Sequence, residues 1–537
     1  MKFNKISQKL KKKLNDSKGM ALLATLIFTF VISTLGIALL TMTNNETKLT
    51  TLQKESSEAF YLADSGISRA INWLETRQSP PSASVIIANN TYNGTKWIDS
   101  EGNEYPENAT LISGQYYKIN LTLQTGIDSN RAYKIISTGK LVGPNRNATR
   151  AIEQLVDITN FAEYAYFSNN EGDNIWFYDG DIIDGRLHTN GQLRIDGRPT
   201  FKGLVTSATE PIIWGDNEPH FEIFDTYKYR LGADEYIPLP EKTGDISGTE
   251  NPLSLESIAM GSWTPPTPSE DKVYVPHDVS NNRTGGIYVN GNLDALSLTT
   301  VNDLSVIKFK KGSHVTTITS LPAGIVYPYD GRGVSYLNDK TIIEEEGVPP
   351  IYYYYNGLTN GLLYVNGKIQ SLEAEESKGG HQGKLTIVAT KDITITNDIK
   401  YKTLIDHPEI NIHTDDPEEL LPITDTLGII SSGNVVLEIP SDNPNPIVCA
   451  TIMALGESLT NHYSNRIPPG KFTLFGGLIH MRDGIMGYCD WNGNIIKGYF
   501  EDYTFDERMK DPTSDSIPPY FPTTGKYESI YWMESNG

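Results

Sequence analysis

The chain has 537 residues, 38% hydrophobic and 21% charged, enough to bury a core and too apolar for wholesale disorder. A formal charge of -21 repels phosphate backbones, which argues against nucleic acid as a partner of the bulk of the molecule. With only two cysteines, Cys449 and Cys489, a disulfide-framework fold and a multi-thiolate metal site are both excluded.

Residues 1–19 hold seven lysines against the single acid Asp16, a local charge of +6, and leave -27 on the rest. From Met20 to Met42 no charged residue occurs. As a helix this run is about 34 Å long, which spans a bilayer core of roughly 30 Å. The lysines place the N-terminus on the cytoplasmic side and everything after Met42 on the far side. The run lacks the short apolar region and the small-x-small site of a cleaved secretory signal. No proline appears before Pro80, and Leu49, Leu52, Phe60, Ala63, Ile67, Ala70, Ile71 and Leu74 continue at helical spacing. The pattern predicts one helix from Met20 to about Thr76, apolar all round at first and amphipathic later.

The segments Lys18-Gly19-Met20-Ala21-Leu22-Leu23 and Ala59-Phe60-Tyr61-Leu62-Ala63-Asp64-Ser65-Gly66-Ile67 resemble type IV pilin precursors, in particular PilX-type minor pilins and the longer secretion pseudopilins. The resemblance implies that a prepilin peptidase cuts between Gly19 and Met20, that the chain sits in an inner membrane, and that other pilins or pseudopilins contact its N-terminal helix. Major pilins carry glutamate at the fifth mature position, where this chain has Ala24. A carboxylate in hydrocarbon is costly unless paired, so its absence removes both a penalty and a docking contact. Pseudopilins placed at a fibre tip lack it too, so the resemblance implies a tip or initiating position. Thr25, Thr29, Ser33 and Gly36 share one helix face, as a small-residue packing surface would.

Beyond Ser79, alternating runs at Ser84–Ala88, Tyr116–Leu123, Ala132–Leu141 and Ala148–Asp157 read as strands of a small antiparallel head sheet under the helix. From Phe161 on, a short strand followed by a tight polar turn recurs: Leu187 to Leu193, Ile287 to Leu293, Leu363 to Ile369 and Ile429 to Val435. Asn-Gly between apolar strands signals hairpins and also suits the corners of a β-solenoid. The Asn-Gly copies lie 100 and 76 residues apart, which is no regular period, so solenoid and sandwich both stay open. The predicted class is α+β, a long helix on a small sheet followed by a large mainly-β region. The expected organisation is a leader at 1–19, the helix at 20–76, a head at 77–160, a β-rich domain at 161–400 with a Pro-rich loop at 238–276, and a C-terminal β-rich subdomain at 401–537. Phe505-Asp506-Glu507-Arg508, Pro518 to Pro522 and Tyr527 to Trp532, with Gly185 to Gly191 earlier, resemble the closing and opening parts of an uncharacterised domain attached to such N-termini.

No catalytic constellation emerges. Phosphate-binding, G-x-S-x-G and H-E-x-x-H motifs are absent. His188 reads as a turn histidine, and His407, His413, Asp415 and Asp416 as a solvated loop. Asp490, Asn492, Asn494 and Glu501 occupy positions 1, 3, 5 and 12 of an oxygen-ligand loop and form the one calcium candidate, weakened by Ile495 and Lys497. No other cofactor is expected. In an exported chain Cys449 and Cys489 are candidates for a disulfide. Tyr352 to Tyr355, as a strand, would point two rings inward and two outward, the outer pair free to stack on a sugar or partner. The sequence therefore reads as a non-enzymatic minor pilin or pseudopilin-like component of a type IV pilus or related fibre, in assembly initiation, tip or adhesion, whose surface or glycan ligand is not specified. The competing reading is a membrane-anchored carbohydrate-binding protein or polysaccharide-acting β-helix enzyme.

Overall fold

The computed structural model describes residues 17–77, 81–88, 96–124, 132–144, 146–172, 176–177, 181–215, 220–221, 229–240, 255–261, 272–278, 283–323, 326–329, 332–335, 338, 340–347, 349–356, 358–414, 416–461, 467–490, 495–510 and 516–535. The fold is α+β. A single helix, α1 (Ser17–Glu75), runs unbroken through the apolar and amphipathic segments. Its second half lies on a six-stranded antiparallel sheet built from β1 (Lys96–Asp99), β2 (Glu104–Pro106), β3 (Gly114–Leu123), β4 (Ala132–Gly143), β5 (Arg146–Asn160) and a closing strand, Thr523–Ser535. The order is β2-β1-β3-β4-β5-closing strand. Ser84–Ala88, expected as a strand, instead forms part of a short helix, Ala83–Ala88. A run this short has no period that separates the two conformations, and burying Ile86 in the head core decides it.

Among the described residues, those from Phe161 to Phe521 share one hydrophobic core, which runs through the expected division at residue 400. That core fills a parallel β-solenoid. One face stacks ten strands in the spatial order Tyr229–Leu231, Val205–Ser207, Arg186–Thr189, Tyr164–Ser168, Gly470–His480, Ile447–Ala454, Thr426–Ser431, Lys384–Ala389, Leu362–Asn366 and Ile287–Asn290. All nine pairings are parallel. The chain enters this stack in the middle at Tyr164 and winds outward to Leu231. It then crosses through the Pro-rich region to the opposite end at Ile287 and winds back until His480 lies beside Ser168. A seam without a covalent link therefore joins the first and last coils.

The recurring strand-turn element occupies one corner of successive coils. Asn290 is in register with Asn366, and Gly367 packs directly on the Gly291 backbone, a contact that leaves no room for a side chain. Elsewhere along this corner the position one residue before that of Asn290 and Asn366 carries a hydroxyl: Thr189, Ser207 and Ser431 each accept the backbone N–H two residues on. The irregular spacing has a simple origin. Between Ala295–Val301 and the next coil the chain inserts an antiparallel array, Leu304–Lys311, His314–Leu321, Lys340–Glu345 and Ile351–Asn356. Residues 400–425 form a second insertion with two short helices. Within the tyrosine run, Tyr353 and Tyr354 are exposed and Tyr352 and Tyr355 half-buried, so the rings do not alternate cleanly in and out. Tyr352 and Tyr354 stack on each other at 6.5 Å.

Candidate functional site

The surface with the clearest chemistry is the helix itself. Every residue from Met20 to Lys54 is exposed except Gly36, which is half-exposed, so about 52 Å of helix projects from the head. It is the one helix among the described residues that is long and apolar enough to cross a membrane, and it fits a single-pass anchor. Its serine and threonine hydroxyls are satisfied within the helix. Thr25, Thr29, Ser33, Thr34, Thr41, Thr43, Thr47, Thr50 and Thr51 each donate their hydroxyl to the carbonyl four residues back. A hydroxyl satisfied inside its own helix can enter hydrocarbon, or a bundle of apolar helices, without leaving a buried group unpaired. Thr25, Thr29, Ser33 and Gly36 fall on one face of this projecting half; Ala24 lies on a different face, and Gly19–Met20 fall within the first turn of α1.

Docking begins at Glu55, the first buried residue. Ala59, Ala63, Gly66 and Ala70 recur at spacings of four, three and four and are buried against β4. The approach is close enough that a Cβ on Gly139 would lie 2.1 Å from the Ala59 carbonyl oxygen and 2.6 Å from the Ala63 nitrogen. A Cβ on Gly66 would lie 2.1 Å from Ser137 Oγ. Of the two segments that carry the pilin resemblance, Ala59 to Ile67 is thus the surface that packs on the head, whereas Met20 to Leu23 of the other is exposed on the projecting half. Around it, Arg69 donates to Tyr117 Oη at 2.8 Å, Arg150 to Ser56 Oγ at 2.7 Å, and Arg146 pairs with Glu58.

Where head meets solenoid, a cleft of about 240 Å³ is lined by Glu75 of the helix end, Arg186, Arg230 and Glu235 of the solenoid side, and Lys526 and Glu528 of the closing strand. Arg186 grips Glu528 through both terminal nitrogens, at 2.9 and 2.6 Å. Glu163 lies 3.9 Å from Arg186, yet burial pushes its carboxyl up to about 8.

The solenoid seam gathers a second cluster. Burial raises the Glu171 carboxyl, which accepts from Tyr166 at 2.9 Å and from Ser168. Asp483 is raised by burial, then by Glu171 and Glu501, and Glu501 is pushed up to about 8 by burial and the Asp181 charge. His480, fully buried and edge-on to Tyr166, has neither ring nitrogen hydrogen-bonded and is held down to about 3 by burial. Among the described residues no three His, Cys, Asp or Glu side chains gather as a metal site.

The other candidates resolve individually. His188 is fully buried, bonded through Nδ1 to Thr206 and through Nε2 to Asn190, and lowered to about 4 by burial. Asp506 and Arg508 form a buried pair, with Arg508 also donating to the carbonyls of Ile423 and Asp425, so this motif clamps the 400–425 insertion. His413 reaches Thr504 at 2.8 Å from that insertion. Of the calcium candidates, Asn492 and Asn494 lie outside the described residues; Glu501 faces Asp181 and Tyr503. Cys449 is a buried free thiol, pushed up to about 12, and not part of a disulfide. It is in register with Phe475 and, through it, with Thr504, whereas Cys489 pairs with Ile495 nine residues earlier on that same strand. Nine residues of strand are about 30 Å, far beyond the roughly 7 Å limit for a bridge.

Sequence reasoning missed the closing strand and the seam. The first reads as an ordinary terminal strand until its partner is known, while Ser/Thr two residues before a turn N–H was a local signal for the corners.

The described residues thus form one long projecting helix, a head sheet and a β-solenoid. A family described as "Domain of unknown function (DUF4900)" matches residues 130–209, from β4 through the first solenoid coils, and includes Gly185 to Gly191. The competence-associated pilin ComZ from Thermus thermophilus is similar at 11% identity and a TM-score of 0.29, over 90% of this chain and 98% of that one, values too low to carry fold or function across. No curated protein matches.

Proposed function

We propose that this chain is a non-enzymatic minor pilin or pseudopilin-like subunit of a type IV pilus or related secretion fibre, and that its solenoid is displayed by the fibre. The observation that carries this reading is the projecting half of α1: a long apolar rod, its hydroxyls internally satisfied, rigidly continuous with a half clamped to the head. A plain anchor needs no such rigid continuity. A subunit that leaves the membrane for a bundle of like helices does, because the rod must keep one geometry in both surroundings.

On this reading the lysine-rich segment 1–19 stays cytoplasmic until a prepilin peptidase cuts between Gly19 and Met20, and the head and solenoid face outward. Ala24 supplies no carboxylate for a neighbour's terminal amine, which suits a tip or initiating position. Any surface ligand then belongs to the solenoid. Co-expression with a prepilin peptidase tests the reading: the N-terminus moves from Met1 to Met20, and Gly19→Val blocks the shift. A mature chain that still begins at Met1 refutes it.

The second reading, a membrane-anchored carbohydrate-binding or polysaccharide-acting protein, is favoured by the parallel solenoid and by the carboxyls of Asp181 and Glu501, neighbours on adjacent coils with one raised to about 8. Polysaccharide turnover that is lost in Glu501→Gln, with Gly19 dispensable, would select it.

A further inference from the structure

The closing strand places the completion of the head under the control of the whole chain. Residues 161–522 are an insertion between two adjacent strands of one sheet: Asn160 ends β5, Thr523 begins the closing strand, and the two are in register. The junction is tightly bonded. Phe161 N–H donates to Pro522 O at 3.1 Å, Asn160 Nδ2 to Phe521 O at 2.9 Å, and Thr524 Oγ1 to Thr159 O at 3.1 Å.

The head is unfinished without this strand. Tyr527 belongs to the head core and packs edge-on to Tyr133 at 5.8 Å. Trp532 packs edge-on to Phe60 of α1 at 5.9 Å, and Tyr531 donates to Glu153 at 2.8 Å. Without it, the outer edge of β5 from Ala151 to Asn160 has unpaired backbone groups, a template for wrong pairing. The solenoid, in contrast, has its own core, separate from that of the head. Its folding also sets the approach of the closing strand, because the seam between His480 and Ser168 brings the end of the last coil back to the first. Closing so long an unfolded loop is entropically unfavourable, and a folded insert with adjacent ends removes that penalty.

We propose that the closing strand is a completion latch: the solenoid folds without it, and the helix-bearing head becomes stable only when residues 523–535 arrive beside β5 after the solenoid has closed. A chain whose translocation or synthesis stops short then presents a solenoid but no finished head. This folding order stands whether or not the pilus reading holds.

Hydrogen exchange on the full chain in detergent tests it, with Tyr527→Pro/Tyr531→Pro to unpair the strand and Tyr527→Phe/Tyr531→Phe as the conservative control. In the proline variant, amides of 132–141 and 151–158 exchange at least tenfold faster, while those of 384–389 and 426–431 keep their protection; the phenylalanine variant matches the parent. In pulse-labelled refolding of the parent, the solenoid amides become protected before the head amides. Unchanged head protection in the proline variant, loss of solenoid protection along with it, or head protection that precedes the solenoid's would each overturn the proposal.

Discussion

Gly139→Ala is the sharpest perturbation of the helix–head contact, because a single methyl is aimed at backbone. Its Cβ would meet Ala59 O at 2.1 Å, Ala63 N at 2.6 Å and Leu62 Cβ at 2.9 Å. Ordinary contact needs about 3.4 Å, so α1 must move away from β4 by about 1 Å across a turn whose own hydrogen bonds it cannot surrender. Overpacking of this kind costs about 1–3 kcal/mol, and with backbone on the opposing side the upper figure applies. About 3 kcal/mol is roughly a hundredfold in the undocking equilibrium. Amides of residues 59–67, read by hydrogen exchange in detergent, therefore exchange about a hundredfold faster in the variant. Gly36→Ala supplies the contrast, since nothing lies within 4 Å of its added Cβ. There the substitution strengthens the helix by about 0.5–1 kcal/mol. Exchange at 59–67 within threefold of the parent in Gly139→Ala would refute the close-approach reasoning.

The seam gives a pH dependence of definite sign. Glu171, Asp483 and Glu501 are raised in the folded state, so their contribution is fully present below the unfolded carboxyl value and is lost as pH climbs toward about 8. The solenoid melting temperature should fall between pH 7 and 9, above the range in which the buried neutral histidines His188 and His480 add stability with rising pH, and Glu501→Gln should flatten the fall; a curve rising from pH 7 to 9 contradicts the assignment. Arg508→Ala strands Asp506 as a buried unpaired carboxylate and should cost about 3–5 kcal/mol in denaturant titration, and a loss under 1 kcal/mol would show the pair to be dispensable. Cys449 should resist alkylation at pH 8 in the native chain and react once unfolded, since its thiol is buried and held near 12.

Much of the functional surface is legible in the sequence because it is local. Helix length, the absence of charge from Met20 to Met42, and the small residues Ala59, Ala63 and Gly66 are all read within one element. The strand-turn corners are legible too. Their stacking is not, because the step from Ile287 to Leu363 contains a whole antiparallel array whereas the next, from Leu363 to Ile387, contains none. Pairings such as His480 beside Ser168, or Tyr527 beside Ile158, join positions hundreds of residues apart, and no period or turn signal encodes them. The expectation of a Cys449–Cys489 bridge rests on an oxidising compartment, and compartment carries no hint of the register that separates the two residues.

On the proposed function, the projecting helix passes from membrane to fibre core. A photoreactive residue at Thr29, activated in cells and followed into sheared fibres, tests it most directly. Adducts are expected between this helix and the N-terminal helices of neighbouring pilin-like subunits within the fibre fraction. Recovery of all of the chain in the membrane fraction, with no such adduct and none of it in fibres, would contradict it.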